Sequence, residues 1–246
     1  MTTRWKITVE YDGAGFCGWQ RQTEDVTVQA VIETAIHAFS GETVRLHVAG
    51  RTDAGVHALA QVAHFDLEKE VAAVEVSGGI NFHARPHRVV VVKAEKAPPE
   101  FHARFSALSR RYRYQIINRP APLALMEGKA WHVVRPLALE PMQKAAALLI
   151  GTHDFSTFRA QRCQATSPVR TLDVLDITQV EDNFFFDVKA RSFLYHQVRN
   201  MVGTLAKVGT GRWTLDEFAT AFAANDRAKG GPTAPSEGLY FVSVDY

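Results

Sequence analysis

An arginine, an aspartate and a histidine fall within seven positions of the run Ala49-Gly50-Arg51-Thr52-Asp53-Ala54-Gly55-Val56-His57-Ala58. A carboxylate such as Asp53 can add covalently to an electrophile or take a proton. Asp followed two residues later by Gly is also ordinary turn chemistry, so the residues alone leave Asp53 as either a catalytic group or a turn former. Glycines pin the run, and apolar strand-like sequence flanks it: Val44, Leu46 and Val48 before it, Leu59 to Phe65 after it. A short loop between rigid strands is where catalytic groups tend to be mounted.

Gly13, Gly15 and Gly18 form a G-x-G-x-x-G after the first apolar run. A dinucleotide fingerprint should open a helix directly, but here the helical pattern starts only near Thr27, and Phe16 and Trp19 crowd the loop. A glycine-rich loop carrying Trp19, Gln20, Arg21 and Gln22 suits backbone-level RNA contact at least as well. His83 and His87 lie four apart around Pro86 with no third ligand near in sequence, so no metal site is expected. Cys17 and Cys163 are far apart and read as free thiols of a reducing compartment.

The 28 basic and 26 acidic residues give a net charge of only +2, but the bases are bunched. No Asp or Glu occurs from Phe101 to Met126, from Phe155 to Leu172 or from Val188 to Leu215. These blocks carry Arg104, Arg110, Arg111, Arg113 and Arg119, then Arg159, Arg162 and Arg170, then Lys189, Arg191, Arg199, Lys207 and Arg212. Phe105, Tyr112, Tyr114, Phe158, Phe193 and Tyr195 are interleaved with them. Basic side chains hold phosphates and aromatic faces stack on unpaired bases, so the pattern fits RNA, or equally a solvated basic face over core aromatics.

The elements that must carry these groups follow from periodicity. Strands are expected at 5–11, 44–48, 59–65, 88–93, 109–118, 130–135, 170–180, 183–190 and 239–245. Helices are expected at 27–40 with Thr27 as cap and Gly41 as stop, at 68–77 ending at Gly78-Gly79, at 141–150, at 193–208, and at 214–224 with a Thr214/Glu217 capping box. Tyr112, Tyr114 and Ile116 share one face of the 109–118 strand, and Arg199 flanks the buried stripe of the 193–208 helix. The class is α+β: two similar antiparallel-sheet halves, residues 1–105 with the Asp53 loop and 106–246 with the tyrosine strand and arginine helix. With 46% hydrophobic residues the chain can bury a core, and no run approaches a membrane span or a secretory leader. A cytoplasmic protein without membrane partners is expected.

Gly50-Arg51-Thr52-Asp53-Ala54-Gly55-Val56-His57-Ala58 resembles the catalytic-loop motif of the tRNA pseudouridine synthase A family. The match runs along nearly the whole chain: Tyr11-Asp12-Gly13 with Gly18-Trp19-Gln20, Phe101-His102-Ala103-Arg104-Phe105-Ser106-Ala107, Arg111-Tyr112-Arg113-Tyr114, Phe155 to Ala160, Phe193 with His196, Val198 to Gly203, and Glu237-Gly238-Leu239-Tyr240. The resemblance implies two ferredoxin-like halves joined into one extended sheet, helices on one face and a basic cleft on the other. It implies isomerisation of uridine to pseudouridine at nucleotides 38, 39 and 40 of the tRNA anticodon stem-loop, by a homodimer. Such a reaction is redox-neutral and hydrolyses nothing, so it calls for no cofactor and no metal. By the match Asp53 is the catalytic nucleophile or base, Tyr112 packs on the target uracil, Arg199 pairs with Asp53, and Arg51 takes the space of the displaced base. Two other classes remain beside it: an RNA-binding module, which would not need Asp53, and a glycosidase-like hydrolase, which would need a second carboxylate as acid.

Overall fold

The computed structural model describes residues 2–246, which hold ten strands and five α-helices. The chain divides into two compact units, one running up to Arg110 and regaining Tyr240–Tyr246, the other Arg111–Leu239. Pairing is mostly antiparallel and the class is α+β.

The first unit is built from β1 (Thr3–Tyr11), α1 (Val28–Ser40), β2 (His47–Val48), β3 (His57–Leu67), α2 (Ala73–His83) and β4 (Val89–Lys96). β1 is central and antiparallel to both β3 and β4, with Trp5 opposite Phe65 and Ile7 opposite Ala63. Alternation buries Trp5, Ile7 and Val9 on β1, while α1 buries Val28, Ile32 and Ile36 and α2 buries Val76 and Ile80. Thr27 caps α1 by accepting the Ala30 N–H at 3.3 Å, and Gly41 ends it in the left-handed region at φ 81.

In this unit β2 and α2 differ from the sequence expectation. β2 spans only His47–Val48, because the Leu46 N–H donates to the Glu33 carboxylate of α1 at 2.9 Å instead of to a strand. α2 starts at Ala73 rather than at 68, and it runs through Gly78 and Gly79 rather than ending there. The reason is contact with α1: a Cβ on Gly79 would lie 2.8 Å from the Phe39 ring, so the glycine lets the helices close together. Close packing has overridden the glycine's helix-breaking tendency.

The second unit takes most of β5 (Ser109–Asn118), then β6 (Trp131–Val133), α3 (Leu139–Ala147), β7 (Gly151–Asp154), β8 (Val169–Val180), β9 (Asn183–Ala190), α4 (Gln197–Gly209) and α5 (Leu215–Ala223). Its strand path is β5-β9-β8-β7, with β6 parallel to β5. Residues 151–154 show no alternation, so β7 has no signature in the sequence. α4 begins at Gln197 rather than at 193, because His196 stands in the left-handed region at φ 60 and the Leu194 N–H is taken by the Gln197 side chain at 2.8 Å. Phe155, Phe158, Phe218 and Phe222 interlock with centroids 5.6–6.4 Å apart. Finally β10 (Leu239–Asp245) returns to the first unit, parallel to β3, with Phe241 opposite Ala58.

Adjacent glycines of α2 give a paired test. A Cβ at Gly78 meets nothing within 4 Å, so Gly78→Ala should raise stability by about 0.5–1 kcal/mol. Gly79→Ala should lower it by about 1–2 kcal/mol through the clash with Phe39. Chemical denaturation of the two variants checks the opposite signs.

Candidate active site

Asp53 is half-buried and Arg51 exposed on the loop between β2 and β3. The loop turns at Ala54-Gly55, with Gly55 at φ 79, and the bond closing the turn runs from the Val56 N–H to the Asp53 carbonyl at 3.2 Å. That bond is main chain to main chain, so this closure does not call on the carboxylate.

The strand β1 leads into a second loop, residues 12–19, that lies against the first. Gly13–Gly15 form a single 3-10 turn, not the start of a helix. Gly13 and Gly18 are glycines for a packing reason. A Cβ on Gly13 would lie 2.2 Å from the Val56 carbonyl oxygen, and one on Gly18, at φ 88, 2.7 Å from the Thr52 carbonyl oxygen. The close approach allows direct hydrogen bonds: Trp19 N–H to the Thr52 carbonyl at 3.1 Å and Gly55 N–H to the Phe16 carbonyl at 3.3 Å. The Tyr11 hydroxyl and Thr52 Oγ1 are 2.7 Å apart, and burial pushes the Tyr11 phenol up to about 12, so it stays neutral.

The ends of the loop are fixed too. At its start the buried Arg110 donates through Nε and Nη2 to the Ala49 carbonyl at 3.0 and 2.7 Å, and Gln61 Nε2 donates to the Gly50 carbonyl at 2.8 Å. At its end His57 is buried and stacks on Tyr240 with centroids 4.8 Å apart. Gly13 N–H donates to His57 Nδ1 at 3.0 Å; the Asp12 carboxylate lies 3.1 Å from the same nitrogen and is paired with Arg88 at 2.9 Å. The bracing roles of Tyr11, Gln61 and Arg110 are not visible in the sequence, because each acts through a partner elsewhere in the chain.

Tyr112 and Arg199 belong to the second unit. Tyr112 is buried on β5 and meets Phe193 edge to face at 5.2 Å and 87°. Tyr114 is wholly buried two residues on, its hydroxyl donating to the Pro235 carbonyl at 2.7 Å, and burial raises its pKa well above the usual range. Tyr112 and Tyr114 share the inward face, as the alternation requires. Arg199 is half-buried in the first turn of α4, its Nε donating to the Ala234 carbonyl at 2.8 Å while Ala234 N–H donates back to the Arg199 carbonyl at 3.1 Å. Beside it the buried Asn200 is fully engaged, donating to the Phe158 carbonyl at 2.9 Å and accepting from Thr233 Oγ1 at 2.6 Å and Arg227 Nη2 at 3.1 Å. Gly203 lets α4 touch this segment, since a Cβ there would lie 1.9 Å from the Pro232 carbonyl oxygen.

Among the described residues no His, Cys, Asp or Glu set is grouped to hold a metal ion, and no helix is long and apolar enough to cross a membrane. His83 packs against Phe82 and His87 against Phe16.

A family model described as tRNA pseudouridine synthase matches residues 7–106 and 145–246. The chain belongs to this family. It is 54% identical over 243 residues to the tRNA pseudouridine synthase A of Rhodospirillum centenum, covering 99% of each chain. It is 52% identical to that of Rhodospirillum rubrum, covering 99% of this chain and 87% of the relative, and 54% identical to that of Rhodopseudomonas palustris HaA2, covering 99% of each. The matched spans of the tRNA pseudouridine synthase family include Arg51, Asp53 and Arg199 and fall outside Tyr112.

A histidine cluster beside the loop sets an acid limit. His64 on β3 is buried and its Nδ1 accepts the Ala103 N–H at 3.1 Å, with His47 stacked on it at 4.9 Å and His102 against it at 4.7 Å. Burial, then His102, His47 and Arg4, push its pKa down to about 4, against the pull of Asp66. An unfolded histidine takes its proton near 6.5, so as pH falls from about 6.5 to 4 the unfolded chain binds more protons and stability drops. The expected loss is up to about 3 kcal/mol. His64→Asn keeps an acceptor for Ala103 but takes no proton, so urea midpoints measured from pH 7 to pH 4 should fall less steeply than in the parent.

Proposed function

We propose that this chain isomerises uridine to pseudouridine at nucleotides 38, 39 and 40 in the anticodon stem-loop of tRNA, with Asp53 as the nucleophile. The bond between N1 and the sugar C1′ breaks, the uracil turns, and C5 bonds to C1′. The C5 proton is lost and N1 gains one, so atoms balance without oxidant, reductant or water. Asp53 starts the sequence, by adding to the sugar or to uracil or by taking a sugar proton.

The observation that carries this reading is the bracing of the Asp53 loop by backbone bonds on both sides, with its closing bond independent of the carboxylate. A group held this way is positioned ahead of binding, which is what lowers a chemical barrier. Arg51, exposed two residues away, fills the space of the displaced base; extruding a base from a stem costs a few kcal/mol. Tyr112 offers its ring to the target uracil, and Arg199 is assigned to Asp53 as its ion partner. The acid-free basic blocks suit an A-form backbone read by shape, which fits action at neighbouring nucleotides. The working form is a homodimer.

Asp53→Asn tests the reading. Asn matches the volume and leaves the Val56–Asp53 main-chain bond in place, so the variant should fold and bind tRNA at least as well as the parent. In single-turnover assays with enzyme in excess it should form no pseudouridine. Substantial residual isomerisation would make Asp53 a turn residue only. Affinity for tRNA should also fall steeply between low and moderate salt as phosphate counterions compete, and a flat response would remove the basic surface from the account.

A further inference from the structure

Phe105 is the most exposed phenylalanine among the described residues, 74% accessible, yet the loop that displays it is tightly held. Ala103 is fully buried; its N–H donates to His64 Nδ1 at 3.1 Å and its carbonyl accepts the Tyr246 hydroxyl at 2.9 Å. The Ser106 N–H donates to the His102 carbonyl at 2.9 Å, and Ser106 Oγ accepts the His102 N–H at 3.0 Å. The Arg104 N–H donates to His102 Nδ1 at 3.1 Å. A loop fixed at this many points has no freedom to tuck its ring away from water.

The surroundings of the ring specify a ligand chemistry. The Arg104 guanidinium lies 5.6 Å from the ring centroid and the His102 ring 4.4 Å from it at 36°. An aromatic face bordered by a cation suits a nucleobase and its phosphate, and no acidic residue follows until Glu127. The location is fixed by one side chain. Arg110 Nη2 donates to the Ala49 carbonyl at 2.7 Å and to the Arg104 carbonyl at 2.8 Å, so the loop of Phe105 is tied to the start of the loop that carries Arg51 and Asp53.

We propose that Phe105 is a stacking platform for an unpaired nucleobase of the RNA, beside the nucleotide that enters the Asp53 loop, with Arg104 holding the adjoining phosphate. The proposal rests on the tRNA reading above and adds to it a binding site for a second base.

The test compares Phe105→Ala and Phe105→Trp with the parent, using the full chain and an unmodified tRNA transcript. Phe105→Ala should keep the parent's circular dichroism and lose about tenfold in tRNA affinity. Phe105→Trp should bind like the parent, and the emission it adds should be quenched as tRNA saturates it. Parent-like affinity in Phe105→Ala, or an unquenched tryptophan at saturation, overturns the platform. So does a change of oligomeric state in Phe105→Ala with affinity intact, which would assign the ring to a protein contact. A parent that does not bind tRNA overturns this proposal and the functional reading together. Isomerisation by Asp53→Asn overturns only the role of Asp53, because affinity and quenching are read without turnover.

Discussion

Backbone packed directly on backbone is the constraint on which the geometry of the Asp53 loop rests. Residues 12–19 and 52–56 approach so closely that side chains at Gly13 and Gly18 would occupy the same space as the opposing carbonyls. The bonds exchanged there, from Trp19 to Thr52 and from Gly55 to Phe16, fix the loop through main-chain atoms alone. Side chains are thereby released for other work. The loop's ends are held by side chains instead: the buried Arg110 and Gln61 at Ala49-Gly50, the buried His57 and the partly buried Asp12 at the far side. A rigid loop gives up its conformational freedom during folding rather than when substrate arrives.

The second unit solves a similar problem with the same device. Gly203 brings α4 against Pro232, and the Asn200 side chain, with no surface exposed, ties Phe158, Thr233 and Arg227 to the first turn of the helix. Arg199 then has little choice of direction, because its own Nε and carbonyl are both engaged with Ala234. In each unit a glycine admits a close neighbour and a buried polar residue locks the result.

Much of this was legible in the sequence where the cause is local. Alternation along 109–118 and 183–190 reports a half-buried pleat, and the structure has strands over those same residues. Thr27, Gly41 and the Thr214/Glu217 box mark helix ends because capping is chemistry between near neighbours. Expectation failed where a distant partner decides. Gly78-Gly79 looks like a stop until Phe39 of α1 is placed against it, and Leu46 looks like strand until Glu33 takes its N–H. In the candidate site, Arg51 and Asp53 stand out by spacing, while Arg110 looks like one more member of a basic block. Its burial against two carbonyls is a fact of tertiary structure.

The return of β10 to the first unit sets an order of assembly during synthesis. The Asp53 loop is translated early, yet Tyr240, which covers His57, and Asp245, which accepts from Ser109 Oγ at 2.6 Å, emerge only after the whole second unit. A ribosome-bound chain that has made residues 1–200 therefore carries the Asp53 motif without its final brace. The first unit is therefore closed by the last strand to be made, although its other strands are complete by Lys96.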